Sequence, residues 1–139
     1  MLSKKVEYGL ISLLYMSSLG KGEVVSTKDL GERFHLPVEL LGKVLQALAR
    51  SGLVEAVQGA KGGYKLAKGL EGITLGDVIE SIEGPVKLTR CIEDPAGCSQ
   101  FEGCVIKDAL HGIHQQLAEF INGVSLASLR SEPQEAMVL

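Results

Sequence analysis

The chain has no tryptophan and only 4% aromatic residues. Flat side chains on which unstacked bases could rest are therefore few, which counts against single-stranded nucleic acid as a ligand. Long apolar runs are missing too, and none approaches the length needed to cross a bilayer. No signal-peptide pattern opens the sequence, so the expected setting is cytoplasmic and reducing. Three cysteines are an odd number and too few for a disulfide scaffold in 139 residues. No nucleophile, base and acid stand in a recognisable constellation, and His35, His111 and His114 form no HExxH pattern, so an enzyme and a small-molecule substrate are not expected.

The three cysteines that are present all fall in one stretch, RCIEDPAGCSQFEGCVIK, from Arg90 to Lys107. Six residues separate Cys91 from Cys98 and five separate Cys98 from Cys104, with Pro95, Gly97 and Gly103 between them. Such a segment reads as an irregular loop able to turn its thiols toward one point. Thiolates favour soft metals, and without a CxxC pair the usual zinc knuckle is disfavoured. The wider spacing suits a larger object, an iron-sulfur cluster. Ordinary buried cysteines are the bland alternative.

The net charge of -3 conceals a division along the chain. Residues 1–75 carry ten Lys/Arg against seven Asp/Glu, and residues 76–139 carry four against ten. The front half is compatible with a polyanionic partner.

Periodicity predicts a mainly α fold. Ser3 to Ser18 reads as a helix capped by Ser3, with Val6, Leu10, Leu13 and Leu14 on its apolar face and Glu7, Tyr8 and Ile11 off it. Ser26-Thr27-Lys28-Asp29 resembles a capping box and opens a short second helix ending near His35. A third helix begins at Pro37 or Val38 and runs to about Ser51, closed by Gly52. Leu41, Val44, Leu45 and Leu48 form its core stripe, while Glu39, Lys43, Gln46 and Arg50 line the opposite side at steps of four, three and four. A solvated surface would look the same, but two helices joined by a short turn, the second with a polar outward face, also make a helix-turn-helix.

The following segment favours the second reading. Leu53–Val57 and Tyr64–Ala67 read as strands around the turn Gln58-Gly59-Ala60-Lys61-Gly62-Gly63, a hairpin whose tip and return carry Lys61, Lys65 and Lys68. Glycines there let backbone approach a phosphate or groove closely, completing a winged helix-turn-helix. A nucleotide-phosphate loop is rejected because no GK[ST] follows.

Thr74-Leu75-Gly76-Asp77 starts another capped helix that stops at Gly84-Pro85. After the cysteines a long helix is predicted over Cys104 to Asn122, with Ile106, Leu110, Ile113, Leu117 and Phe120 in an a/d seam. Packing on its own symmetry mate, as a homodimer, is the expectation, with burial against its own subunit as the alternative. The expected organisation is a winged helix-turn-helix over residues 1–84, a cluster-binding loop over 85–104, a dimerisation helix and C-terminal turn over 105–130, and a tail over 131–139.

This order of parts resembles the Rrf-two family of bacterial transcription regulators. The resemblance rests on the wing QGAKGGYKLA, then ITLGDVIESIEGPV, the three-cysteine loop and the closing VSLASL, and spans roughly residues 2–130. Within the family the chain is similar to the iron-sulfur branch typified by the isc regulator and the nitric-oxide-sensing repressor. That implies a homodimer on a double-stranded DNA operator, each subunit carrying a 2Fe-2S or 4Fe-4S cluster that reports iron-sulfur status, redox state or nitric oxide. Cys91, Cys98 and Cys104 match the family's cysteine ligands. The histidine that the isc-type branch places three residues after the last cysteine is Lys107 here, and an ammonium has no lone pair to donate. Glu7 matches the acidic residue of the first helix that serves from the other subunit in the nitric-oxide branch, with Asp94, Glu93 and His111 as alternatives.

For DNA, Thr27, Lys28, Lys43 and the wing lysines Lys61 and Lys65 are expected to hold phosphates, and Glu39, Gln46 and Arg50 to face base edges. Glu39 and Leu40 stand where the family commonly has small hydroxyl and tyrosine side chains, so base reading is expected to differ from that of relatives. Two other readings remain: a cluster-free thiol redox sensor of the same fold, and a non-DNA scaffold or adaptor for iron-sulfur clusters.

Overall fold

Most of the described helices start where a short polar side chain takes up an otherwise unpaired amide. In the computed structural model, which describes residues 2–86, 103 and 105–130, Ser3 caps α1 (Lys4–Ser17) by accepting from the Val6 amide at 3.4 Å. Ser26 caps α2 (Thr27–Phe34) through the Asp29 amide at 3.0 Å. Thr74 and Asp77 exchange bonds of 3.0 and 2.9 Å in a complete capping box at the head of α4 (Leu75–Glu83). The third helix, α3 (Val38–Arg50), begins behind Pro37 without a side-chain cap. The strands β1 (Val54–Val57) and β2 (Gly63–Leu66), a 3-10 turn at Leu70–Gly72, the long α5 (Lys107–Asn122) and a final 3-10 turn at Leu126–Leu129 complete the order. The predicted cysteine loop, with Cys91, Cys98 and Cys104, and the tail 131–139 lie outside the described residues.

The core forms where α1, α3 and α4 meet, with Leu30 of α2 beneath them. Leu13, Leu41, Leu45, Leu48 and Val78 are completely buried. Close approach is possible because α1 presents Gly9 there: a Cβ would lie 2.8 Å from Ile82 Cδ1 and 3.5 Å from Val44 Cγ1. This corrects the predicted face of α1. Val6, Gly9, Leu13 and Met16 turn inward, whereas Leu10 and Leu14 are only partly buried. Hydropathy had favoured the leucines, but backbone proximity selected the glycine side. Ser12 is also fully buried and meets its need by donating to the Tyr8 carbonyl at 2.8 Å.

The hairpin is antiparallel, pairing Val54 with Leu66 and Val57 with Gly63. Val25 adds a short third rung, its amide and carbonyl each bonded to Tyr64 at 2.9 Å. Any Cβ at Gly63 would run into this rung, 2.7 Å from the Val25 carbonyl carbon, so glycine is what lets the wing root reach the segment before α2.

Helix α5 starts at Lys107 rather than at the predicted Cys104; Val105 and Ile106 form a turn. Its far end is tied to the first body of the fold. Leu75 donates to the Val124 carbonyl and Leu126 to the Ile73 carbonyl, both at 2.8 Å, and Leu126 is fully buried.

Candidate nucleic-acid interface

The polar side of α3 is set by the same turn that seats its apolar side. His35 ends α2 in the left-handed conformation (φ 57°, ψ 47°), and the Leu36 amide donates to the Gly31 carbonyl at 3.0 Å. A Cβ on Gly31 would stand 2.8 Å from Val38 Cγ2 and 3.1 Å from the Leu36 carbonyl oxygen. The corner between α2 and α3 is therefore as tight as a glycine permits. With Leu41, Val44, Leu45 and Leu48 locked in the core, the helical period sends Glu39, Lys43, Gln46 and Arg50 outward, and all four are exposed.

Two features of this surface were not singled out by hydropathy. Val38, in the first turn of α3, is 48% exposed despite being apolar. Gly42 falls among the outward residues with nothing within 4 Å of the place its Cβ would occupy, so the helix backbone is uncovered there. The sequence signal for the second was simply a glycine three residues after Glu39 on the same face.

At the start of α2, Lys28 is exposed and Thr27 half-buried, beside the capping Ser26. Lys61 is exposed at the wing tip. Lys65, half-buried on β2, lies 3.7 Å from Glu55 on the facing strand, so its charge is partly neutralised before any phosphate arrives. The edge of the surface is stiffened by Tyr15 of α1. It meets Phe34 of α2 edge-on at 5.4 Å and carries the Arg33 guanidinium over its ring at 4.8 Å.

The expected sensor residues divide differently. Glu7 is exposed on α1, with Lys4 at 4.0 Å and both side chains more than half accessible. The three cysteines and the alternatives Glu93 and Asp94 lie outside the described residues. His111 is exposed on α5; His114 is half-buried there, and its Nδ1 has no hydrogen-bond partner among the described residues. Among the described residues no three His, Cys, Asp or Glu side chains gather into a metal site.

Helix α5 separates its apolar residues into two lines. Leu117 and Ile121 turn toward the rest of the fold, Ile121 being buried and Leu117 packed on the core, and Leu110 is half-buried. Ile106, Ile113 and Phe120, seven residues apart, remain 54%, 52% and 68% exposed. The predicted seam thus faces both ways. Among the described residues no helix is long and apolar enough to cross a membrane.

Comparison with known proteins agrees with this architecture. The family Rrf2, described as an iron-dependent transcriptional regulator, matches residues 2–132. An HTH-type transcriptional regulator from Aquifex aeolicus (strain VF5) is 30% identical, over 91% of this chain and 89% of its own length. Among solved structures, IscR from T. potens superposes with a TM-score of 0.72 at 27% identity, covering 100% of this chain and 92% of that one. CymR (YrzC), the global cysteine regulator of B. subtilis, superposes with a TM-score of 0.68 at 26% identity, covering 93% and 95%. The likeness thus extends to relatives of both kinds and does not single out the iron-sulfur branch. Members of this family are DNA-binding regulators and not enzymes, and this chain, a winged helix-turn-helix with the polar face of α3 exposed, belongs to the Rrf2 family of transcriptional regulators.

Proposed function

We propose that this chain is a homodimeric, repressor-type regulator whose operator affinity depends on an iron-sulfur cluster, held by Cys91, Cys98 and Cys104 of one subunit and Glu7 of the other. The observation that carries the reading is the exposed line Ile106, Ile113 and Phe120 on the helix that follows the cysteine stretch. Large apolar side chains repeating every seven residues on one face suit a second copy of the same helix. Such pairing sets two α3 helices into successive major grooves about 34 Å apart, with the wings reaching flanking minor grooves. The division of labour is a reading head over residues 1–84, a sensing segment over 85–104, a pairing element over 105–130 and a tail over 131–139.

Glu7 fits the part of an oxygen ligand by its chemistry. It is a carboxylate at the outer surface of α1, and its one ion pair among the described residues is stretched to 4.0 Å and solvent-screened, so little holds it from another cation. When bound, a cluster supplies iron whose charge and ligation respond to redox state, iron supply or nitric oxide. The protein's own contribution is mechanical. The cysteine segment joins α4, which packs on α1 and α3, to α5, so a change there alters how the reading heads stand relative to the pairing helices. Control of this kind requires different DNA affinities in the two states, typically about 1–3 kcal/mol of coupling.

The test is anaerobic purification of wild type, Glu7→Ala and Cys98→Ala, with visible absorbance, iron and sulfide counts, and operator binding with and without the cluster. A coloured wild type with defined iron and sulfide, and a weakened chromophore in both variants, is the expected result. A wild type that stays colourless after reconstitution would replace this reading with direct cysteine oxidation on the same DNA-binding frame. Failure to enrich any double-stranded sequence would point to a cluster scaffold instead.

A further inference from the structure

A cleft of about 440 Å³ opens between the C-terminal end of α1, the strand β2 with the loop that leaves it, and the final 3-10 turn. That volume lies within the range of small-molecule sites, roughly 300–1,000 Å³. Of the residues expected to meet DNA, Lys65 alone lines it, and Glu55 already faces that lysine. Its floor is apolar: Met16 and Leu70 are buried there, and Leu66 of β2 packs against the same core. Around the floor stand Lys21, Lys65, Lys68 and Arg130, against two carboxylates, Glu23 and Glu71.

These cations are not all spent on internal partners. Lys65 has Glu55, but Lys21 and Lys68 have no carboxylate within ion-pair distance among the described residues. Arg130 is held in place without being neutralised. Its Nη2 donates to the Ser17 carbonyl at 2.8 Å and to Ser17 Oγ at 2.9 Å, while its remaining N–H groups find no acceptor among the described residues. A guanidinium fixed on one edge, with its other donors free beside an apolar floor, has the geometry for a planar anion that carries a hydrocarbon portion.

We propose that this cleft is a binding site for a small organic anion, a carboxylate with an apolar body. The anionic end is taken by Arg130 with Lys21 and Lys68, and the apolar end rests on Met16, Leu66 and Leu70. Every residue named for this site lies outside the cysteine stretch in sequence.

The experiment is a fluorescence titration of the full chain with 8-anilinonaphthalene-1-sulfonate, an aromatic anion that brightens in apolar surroundings, followed by displacement with benzoate. Three variants accompany wild type: Arg130→Gln, Lys21→Glu and, at the opposite end of α1, Lys5→Glu, an exposed residue outside the cleft. Saturable binding displaced by benzoate, weakened roughly tenfold or more by Arg130→Gln and by Lys21→Glu, and unaffected by Lys5→Glu, is expected, since a charge-assisted hydrogen bond is worth about 1.5–3 kcal/mol. Lys21 is exposed and has no ion pair among the described residues, so its replacement tests the charge without disturbing the fold. Unchanged affinity in both cleft variants, or an equal loss in Lys5→Glu, overturns the proposal. Neither outcome bears on whether the chain binds DNA or a cluster.

Discussion

Two glycines on or beside the recognition helix illustrate how differently one residue type can act. Gly31 has Val38 and the Leu36 carbonyl against it, so Gly31→Ala must push α2 and α3 apart. Overpacking of this kind costs about 1–3 kcal/mol, and a matching fall in Tm with weakened operator binding is expected. Gly42 has open space, and Gly42→Ala should raise stability by about 0.5–1 kcal/mol in the same thermal melt, because alanine loses less freedom in a helix. The outward charges separate in the same way. Lys43 is exposed, and if it holds a phosphate, Lys43→Ala weakens binding to all sequences and lowers the salt slope by about one. Lys65 already faces Glu55 at 3.7 Å, so Lys65→Ala should reduce that slope by less. If Gln46 reads a base edge, Gln46→Ala should instead cost about 1–3 kcal/mol at particular base pairs, visible as relaxed preference in a binding-site selection.

At the scale of the element, α5 turns one apolar pattern partly inward and partly outward. An α-helix advances 3.6 residues per turn, so a seam stepping by three and four residues drifts slowly round the axis and covers a band wide enough for two neighbours. One edge of that band carries Ile121, 5% exposed against its own subunit, and the other carries Phe120, 68% exposed. Adjacent residues therefore make separable predictions. Ile121→Ala should cost about 2–5 kcal/mol of folding stability, measured by chemical denaturation. Phe120→Ser should leave helix content intact by circular dichroism while shifting sedimentation toward the monomer. A monodisperse dimer in the Phe120→Ser variant would remove α5 from the proposed interface.

For the whole molecule, the decisive arrangement is that the end of α5 is fastened to α4 and the segment before it. Gly76 at the start of α4 lies against Asn122 at the end of α5, with the Asn122 Cα 3.3 Å from where a Cβ would stand. Ser125 pairs with Thr74 and donates to the Leu70 carbonyl at 3.2 Å, and Arg130 reaches back to α1. In the proposed dimer, the position of α3 relative to the partner's α3 would be carried through these packed side chains and short backbone bonds. If the dimer neutralises about 6–10 phosphates, operator affinity should fall roughly 10³- to 10⁵-fold between 50 and 200 mM salt. A flat salt profile by fluorescence anisotropy would contradict the geometry of two reading heads.

Much of this was determined by the sequence alone. The caps at Ser3, Ser26 and Thr74, the division of α3 into Leu41-Val44-Leu45-Leu48 and Glu39-Lys43-Gln46-Arg50, and the hairpin to within a residue at each strand all follow from local chemistry and period. Such signals act within a few residues of chain and need no distant partner. Only the tertiary structure decided which side of α1 turns inward, because Gly9 is chosen by the nearness of Val44 and Ile82, residues far away in sequence. It alone divided the α5 seam into a buried and an exposed line, and it alone brought Lys21, Lys68 and Arg130 around one cleft. Those arrangements depend on where separate elements pack, and the burial of a side chain is a property of its neighbours as much as of its own polarity.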